Sequence, residues 1–338
     1  MATLITVGGS SSTGNGYTFG DLIEKVYRRT MGGIREKVVT LGASIGSDDT
    51  TITLNGSQTT ALFPGVLLAI DLEVLYIESW SATTSTSGTA IVSRGYYGSV
   101  PGTHLANTHC YINPRYSRYD IGVAINDDLR SLSSPSNGLF RVGVAEITYN
   151  PVFAGYDLGD LPDNFIDILE VRYRIAPPYR TFPAIKRWKV IRWNKASTDP
   201  VFPSGRGLVI YESGWPGLPI YVTYSAPFVR FVDTADNILD TPSTNDDSPP
   251  YNGYTANTVS NLTATMIDLP PLGAEIDLTQ PREISRNFME SQPDPRKAQE
   301  VPANAVAASV NALVNRRMQR ISEEADRLQR QYTKVRAW

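Results

Sequence analysis

The chain has 338 residues with a formal net charge of −3, and only 19% of its residues are charged. This length allows two or three domains with a substantial core, whereas the single cysteine excludes an internal disulfide framework and no apolar run is long enough to cross a membrane. The many Gly, Pro and Tyr residues (26, 23 and 18) are typical of a β-rich protein with frequent turns and a few helices.

Residues 1–16 are polar and glycine-rich, and we predict that they form a flexible N-terminus. They lack the charged start and the apolar core of a signal peptide, which favours a protein that is assembled in the cytoplasm. Helical spacing of apolar residues then predicts a first helix over about 19–37. Thr18 and Asp21 have the spacing of a capping box at the start of this helix.

Between residues 38 and 113 the apolar period changes to two, in short runs separated by turn residues. We interpret 38–113 as a small antiparallel β domain. Helical spacing resumes at about 117–133. We therefore predict a helical core from 17–37 and 114–135, a helical hairpin whose connection is the inserted β domain. The apolar face of the second helix contains Ile121, Ala124, Ile125, Leu129 and Leu132.

Strand-like runs return after residue 136 and predict a β-sandwich-like domain over 136–240, with aromatic residues supplying much of its buried area. Residues 241–261 form a long polar loop, and residues 262–302 combine weak helical spacing with proline breaks that indicate a hinge. The predicted fold class is therefore α+β.

Residues 303–338 contain neither glycine nor proline and carry the strongest helical signal in the chain. A helix of this length would extend roughly 50 Å, so much of it must lie along something. Its apolar residues form one stripe, and its opposite face is rich in arginine. The stripe contains Val314, Met318, Ile321, Ala325, Leu328, Tyr332 and Val335.

Three interpretations of this C-terminal helix are open. In the first, the helix packs on its own domain and its arginines face water. In the second, it is a docking helix whose apolar stripe enters a groove on another subunit and whose arginines meet an acidic partner. In the third, it binds nucleic acid, which is disfavoured because glutamates interrupt the basic run and no aromatic residues alternate with the arginines.

The sequence contains no catalytic constellation. Its only histidines are His104 and His109, beside Cys110, and a metal site would need a further ligand. His109 and Cys110 would also point to opposite sides of a strand. We therefore interpret these residues as structural, and expect no enzymatic activity, no metal and no cofactor.

Three stretches together resemble the head-to-tail connector, or adaptor, proteins of the tailed-bacteriophage neck. The first is AIVSRGYYGSVPGTHLANTHCYINPRY at 90–116, and the second is DLPDNFIDILEVRYR at 160–174, which is similar to tail tubular and adaptor proteins. The third is REISRNF at 282–288, followed by the helical segment from residue 294 to 332.

The resemblance implies a virion protein that forms a ring, commonly a dodecamer, under the portal protein and above a further neck or tail protein. Genomic DNA would pass through the channel without sequence-specific binding, and no membrane is involved. The C-terminal helix, 303–338, would dock on the portal or on a neighbouring subunit. The expected docking residues are Val310, Val314, Arg316, Arg317, Met318, Arg320, Ile321, Arg327, Leu328 and Tyr332.

The alternative is a β-sandwich protein of the phage tail tip or fibre that binds carbohydrate through surface tryptophans. Such tryptophans are more often core anchors, and a long basic helix has no evident role in a sugar-binding module. The tryptophans concerned are Trp80, Trp188, Trp193 and Trp215.

Overall fold

The computed structural model describes residues 18–32, 35–150, 155–173, 183–192, 202–212, 217–232, 262–290 and 305–332. The predicted flexible N-terminus, the polar loop at 241–261 and the proline hinge before the C-terminal helix lie outside the described residues. The chain divides into two compact units. The barrel unit comprises 14–131 and 229–320, and the two-sheet unit comprises 1–13, 132–228 and 321–338.

Six antiparallel strands close into a barrel, in the order β1-β2-β5-β4-β3-β6. Because side chains alternate along each strand, every second residue enters the barrel, and Leu41, Leu54 and Ile77 are fully buried. Closure comes from the pairing of β1 with β6, in which Lys37 lies opposite Ile112. The strands are β1 (Lys37–Leu41), β2 (Thr51–Asn55), β3 (Leu67–Ile70), β4 (Glu73–Thr84), β5 (Ser87–Ser93) and β6 (His109–Ile112).

The described residues contain four α-helices. The capping box at Thr18 and Asp21 is confirmed, with both hydrogen bonds present. The predicted apolar face of the second helix, from Ile121 to Leu132, is also confirmed, because all five residues are buried. Within the described ranges, no helix combines the length and apolar character that a membrane crossing requires. The helices are α1 (Phe19–Thr30), α2 (Arg118–Leu132), α3 (Leu269–Glu290) and α4 (Ala305–Gln331).

The two-sheet unit contains two three-stranded antiparallel sheets, ordered β10-β11-β8 and β7-β12-β9. Residues of both sheets, among them Leu208 and Val222, share one apolar core. The strands are β7 (Arg141–Thr148), β8 (Tyr156–Asp157), β9 (Asp167–Tyr173), β10 (Trp188–Arg192), β11 (Arg206–Ile210) and β12 (Pro219–Ala226).

The predicted fold, a helical hairpin with an inserted β domain and a β-sandwich, is wrong. The described chain is mostly β, with a closed barrel, two small sheets and four helices. The main helix contact of α1 is with α3 rather than with α2, and it includes an ion pair of Arg29 with Glu275 at 3.3 Å. Local periodicity identified the buried face of α2 correctly but could not identify which helices pack together. A long helix does occupy the C-terminal segment.

Candidate functional site

The expected docking residues of α4 differ widely in exposure. Ile321 and Leu328 are only 4% exposed within the chain, whereas Met318 is 58% exposed. Val310, Val314 and Tyr332 are half-buried. The apolar stripe is therefore already covered at Ile321 and Leu328, and it is open to solvent at Met318.

Several arginines of α4 bind groups of the same chain. The Arg317 guanidinium donates to the Asp128 carboxylate and, at 3.0 Å, to Ser131 Oγ. Arg320 lies 3.3 Å from the Asp268 carboxylate. At about 100° per residue, Arg317 is only about 40° from Ile321 around the helix, so it borders the buried stripe instead of facing away from it.

Arg327 pairs with Glu324 one turn away on α4, at 3.1 Å, and Arg316 is exposed. Arg316 and Met318 are thus the expected docking residues that are exposed in the structure. The assignment of all ten residues to a portal contact stays a prediction.

Asp128 is the buried end of the contact between α2 and α4. It is 4% exposed, and burial raises its pKa to about 7 even though the Arg317 charge opposes that shift. Gly273 of α3 leaves the space that the carboxylate fills, because a Cβ at that position would lie 1.8 Å from Asp128 Oδ1. Three helices of the barrel unit therefore converge on one carboxylate.

A second buried polar group lies among the loops of the barrel, and we call Asp71, Glu73, Arg94 and His104 the ionic cluster. Arg94 Nε and Nη2 donate to the two Glu73 carboxylate oxygens at 2.6 and 2.7 Å. His104 Nε2 is 2.8 Å from Glu73 Oε2, and His104 Nδ1 is 3.0 Å from Asp71 Oδ2. The side chains of Glu73 and His104 are 0% and 2% exposed.

Both ring nitrogens of His104 face carboxylates, which only an imidazolium can satisfy by donating twice. Burial alone would lower the pKa of His104, but the hydrogen bonds to Asp71 and Glu73 raise it to about 9. Burial alone would raise the pKa of Glu73, but hydrogen bonds from Arg94, His104 and the Gly102 N–H hold it at about 2. Glu73 and His104 are therefore both ionised near neutral pH.

The ionic cluster ties separate loops of the barrel together. Arg94 Nη1 donates to the carbonyls of Gly46 and Asp49 at 2.7 and 3.0 Å, and Nη2 donates to Gly102 at 2.6 Å. The Gly95 N–H donates to Glu73 at 3.2 Å. Because its central groups are closed to solvent and saturated with protein partners, the cluster fits a structural role rather than substrate binding.

The structure places the side chains of His104, His109 and Cys110 in three different environments. His104 belongs to the ionic cluster, His109 is exposed and Cys110 is buried in the barrel core. No three side chains of His, Cys, Asp or Glu in the described ranges are arranged to hold a metal ion. The sequence singled out His104, but it gave no sign that Glu73 and Asp128 are buried, because nothing in the local sequence distinguishes them from surface carboxylates.

The carbohydrate-binding alternative needs exposed tryptophans, and the two that lie within the described residues do not form such a surface. Trp188 is 8% exposed, and Trp80 is half-buried against the barrel core. Trp193 and Trp215 lie outside the described residues.

Comparisons with known proteins assign no class to this chain: no protein-family profile matches it, and no curated protein matches it significantly.

The ionic cluster predicts a pH dependence of stability. Because the folded-state pKa of His104 is raised from 6.5 to about 9, its contribution is complete below pH 6.5 and is lost as pH rises through 9. The Glu73 pKa is lowered from 4.5 to about 2, so its contribution is present above pH 4.5 and is lost as pH falls towards 2. Each is worth about 3 kcal/mol.

We expect denaturant unfolding to show that stability falls between pH 6.5 and 9, and that His104→Gln reduces this slope. His109→Gln is the matched control because His109 is exposed. An equal slope in the wild type and His104→Gln would contradict an imidazolium in the cluster.

Proposed function

We propose that this protein is a structural component of the neck of a tailed bacteriophage, a head-to-tail connector that forms a ring under the portal around the DNA channel. The C-terminal helix α4 would dock on the portal, and a further neck or tail protein would bind below. The proposal rests on the resemblance of the three stretches described above and on the surface of α4.

The observation that carries the proposal is the exposed surface of α4 around Met318. A large apolar side chain that is 58% exposed is suited to a helix that enters an apolar groove. Val310 and Val314 extend this surface along the helix, because both are only partly covered.

The distribution of charge supports the same function. Residues 296–338 contain nine Lys and Arg and four Asp and Glu, a net charge of +5, so the rest of the chain carries −8. Proteins bind DNA tightly when their Lys and Arg side chains neutralise phosphates and release counterions. An acidic protein body releases few counterions, so it would let DNA slide through a channel without binding it tightly.

We expect Met318→Asp to abolish binding to the portal protein of the same phage, because it places a charge where the apolar anchor would enter the groove. Arg316→Glu should weaken binding less than Met318→Asp and lower its salt dependence, because Arg316 lies about 160° from Met318 around the helix and acts at longer range. Cosedimentation with purified portal rings measures both effects. Ala312→Asp is the control, since Ala312 is exposed and lies about 120° from Met318 around the helix.

Undiminished binding of Met318→Asp would refute docking through this surface. Native mass spectrometry of the assembled complex tests the ring separately, with about a dozen copies expected on each portal. A trimer without affinity for the portal would instead favour the tail-tip or fibre alternative.

A further inference from the structure

Strand β4 extends well beyond its neighbour β3. β4 has 12 residues and β3 has four, so β3 pairs with β4 only from Glu73 to Tyr76. The last backbone contacts on this side are made by Ile77, whose N–H donates to the Val66 carbonyl at 2.9 Å and whose carbonyl accepts from the Gly65 N–H at 2.8 Å. In the ranges described here, no strand pairs with this side of β4 after Ile77, although the other side stays paired with β5 as far as Thr84. The distal half of β4 therefore has an open edge.

The register of the barrel identifies the backbone groups on this edge. The Val92 N–H donates to the carbonyl of Thr50, the residue just before β2. Alternate β5 residues, including Ala90 and Gly88, therefore direct their backbone groups towards β2 and away from β4. Ala90 lies opposite Trp80, and Gly88 lies opposite Ala82. Trp80 and Ala82 therefore direct their N–H and C=O groups towards the open edge.

Between its two register shifts, the open edge lacks the charged residues and prolines that protect many edge strands from pairing. Natural edge strands commonly carry lysine, proline or inward-pointing charges. From Ser79 to Thr84 the strand has no charged residue and no proline, and Ser81 and Ala82 are exposed. Register shifts after Ile77 and after Ala82 bound a regular segment, 79–82.

We propose that the open edge of β4 pairs with the same edge of a second copy of this chain, as antiparallel strands centred on Ser81. In this register Trp80 lies opposite Ala82 of the partner subunit, and the reverse pair follows from two-fold symmetry. The outward N–H and C=O groups of Trp80 and Ala82 are then satisfied in both copies.

Side-chain size and charge favour a second copy in this register. Trp80 faces a small alanine, so the two indoles do not collide, and the uncharged segment brings no like charges together. A shift of the register by two residues in one direction would place the two Trp80 side chains opposite each other. A shift in the other direction would leave the N–H and C=O groups of Trp80 without Ala82 of the partner subunit opposite them. The contact is short, so we expect a weak dimer.

This inference does not depend on the proposed function. The contacts within a cyclic ring are heterologous, whereas pairing through β4 is isologous. The β4 dimer would therefore form between free copies of the chain and not within the ring. The portal-binding variants at Met318 therefore test a different surface.

Register-specific crosslinking tests the pairing. Across the two-fold axis, Ser81 and its symmetry mate form a non-hydrogen-bonded pair with Cα atoms about 4.5 Å apart, which a disulfide can bridge. Under mild oxidation, Ser81→Cys should give a covalent dimer. Thr83→Cys should not, because the two cysteines would be about 13 Å apart along the strands. Native Cys110 is fully buried and does not interfere.

Sedimentation equilibrium of the full chain gives a second readout. Ala82→Pro removes an N–H from the open edge but none from the β4–β5 ladder, so it should abolish the dimer and leave the barrel folded. A monomeric wild type at high concentration, or equal crosslinking of Ser81→Cys and Thr83→Cys, would overturn the proposal.

Discussion

Replacement of Glu73 by glutamine is expected to lower the free energy of unfolding by about 3–5 kcal/mol, the usual result of removing one partner from a buried ion pair. Glu73 accepts bonds from Arg94 and His104 and from the backbone of Gly95 and Gly102. An amide of the same shape keeps the packing but leaves two buried cations without the central carboxylate. It also turns an NH₂ group towards donors.

Chemical denaturation measures the effect, and Glu170→Gln is the matched control. Glu170 pairs with Arg172 at 2.7 Å, but both side chains are partly exposed, so that change should cost under about 1 kcal/mol. A double-mutant cycle of Glu73→Gln with Arg94→Gln should show strong coupling. Equal losses in Glu73→Gln and Glu170→Gln would mean that the ionic cluster does not stabilise the barrel.

Ile321→Asp is expected to destabilise the isolated chain by about 4 kcal/mol, because it loses apolar burial and places an unpaired carboxylate in a covered site. Ile321 is 4% exposed. Met318→Asp, the same new residue one turn earlier on α4, should change stability by less than about 1 kcal/mol because Met318 is 58% exposed.

The pair separates folding from docking. Helix propensity changes similarly in the two variants, so the difference between their unfolding midpoints reports burial alone. If Ile321→Asp were as stable as Met318→Asp, α4 would not pack on its own chain at that point, and Ile321 would be free for a partner.

Local signals in the sequence predicted the elements better than their arrangement. The apolar spacing from Ile121 to Leu132 predicted a helix, and every residue of its predicted apolar face is buried. Such spacing involves only residues within a few turns of one helix, so the sequence alone reveals it. Barrel closure depends instead on β6 pairing with β1 and β3, which are distant in sequence. Alternating apolar residues show that strands exist, but they do not specify these long-range pairs.

The candidate sites were predictable only in part, for the same reason. The spacing of α4 identified Ile321 and Leu328 as apolar anchors, but it could not show that this chain already covers them. Arg317 was placed on the face opposite the stripe, although helical geometry puts it about 40° from Ile321, and the sequence could not show that its buried acceptor, Asp128, lies on a different helix. A sequence pattern describes one element, whereas an ion pair requires two.

The pairing of Lys37 with Ile112 has a consequence for the evolution of this chain. The first and last residues of the barrel, Lys37 and Ile112, lie opposite each other on adjacent strands. A different barrel with the same end-to-end spacing could therefore replace this one without moving the flanking helices apart. Recombination between related genomes could replace the barrel while retaining α1 and α2. We expect chains with conserved helices and divergent barrels, whose recombination junctions lie near codons 37 and 112.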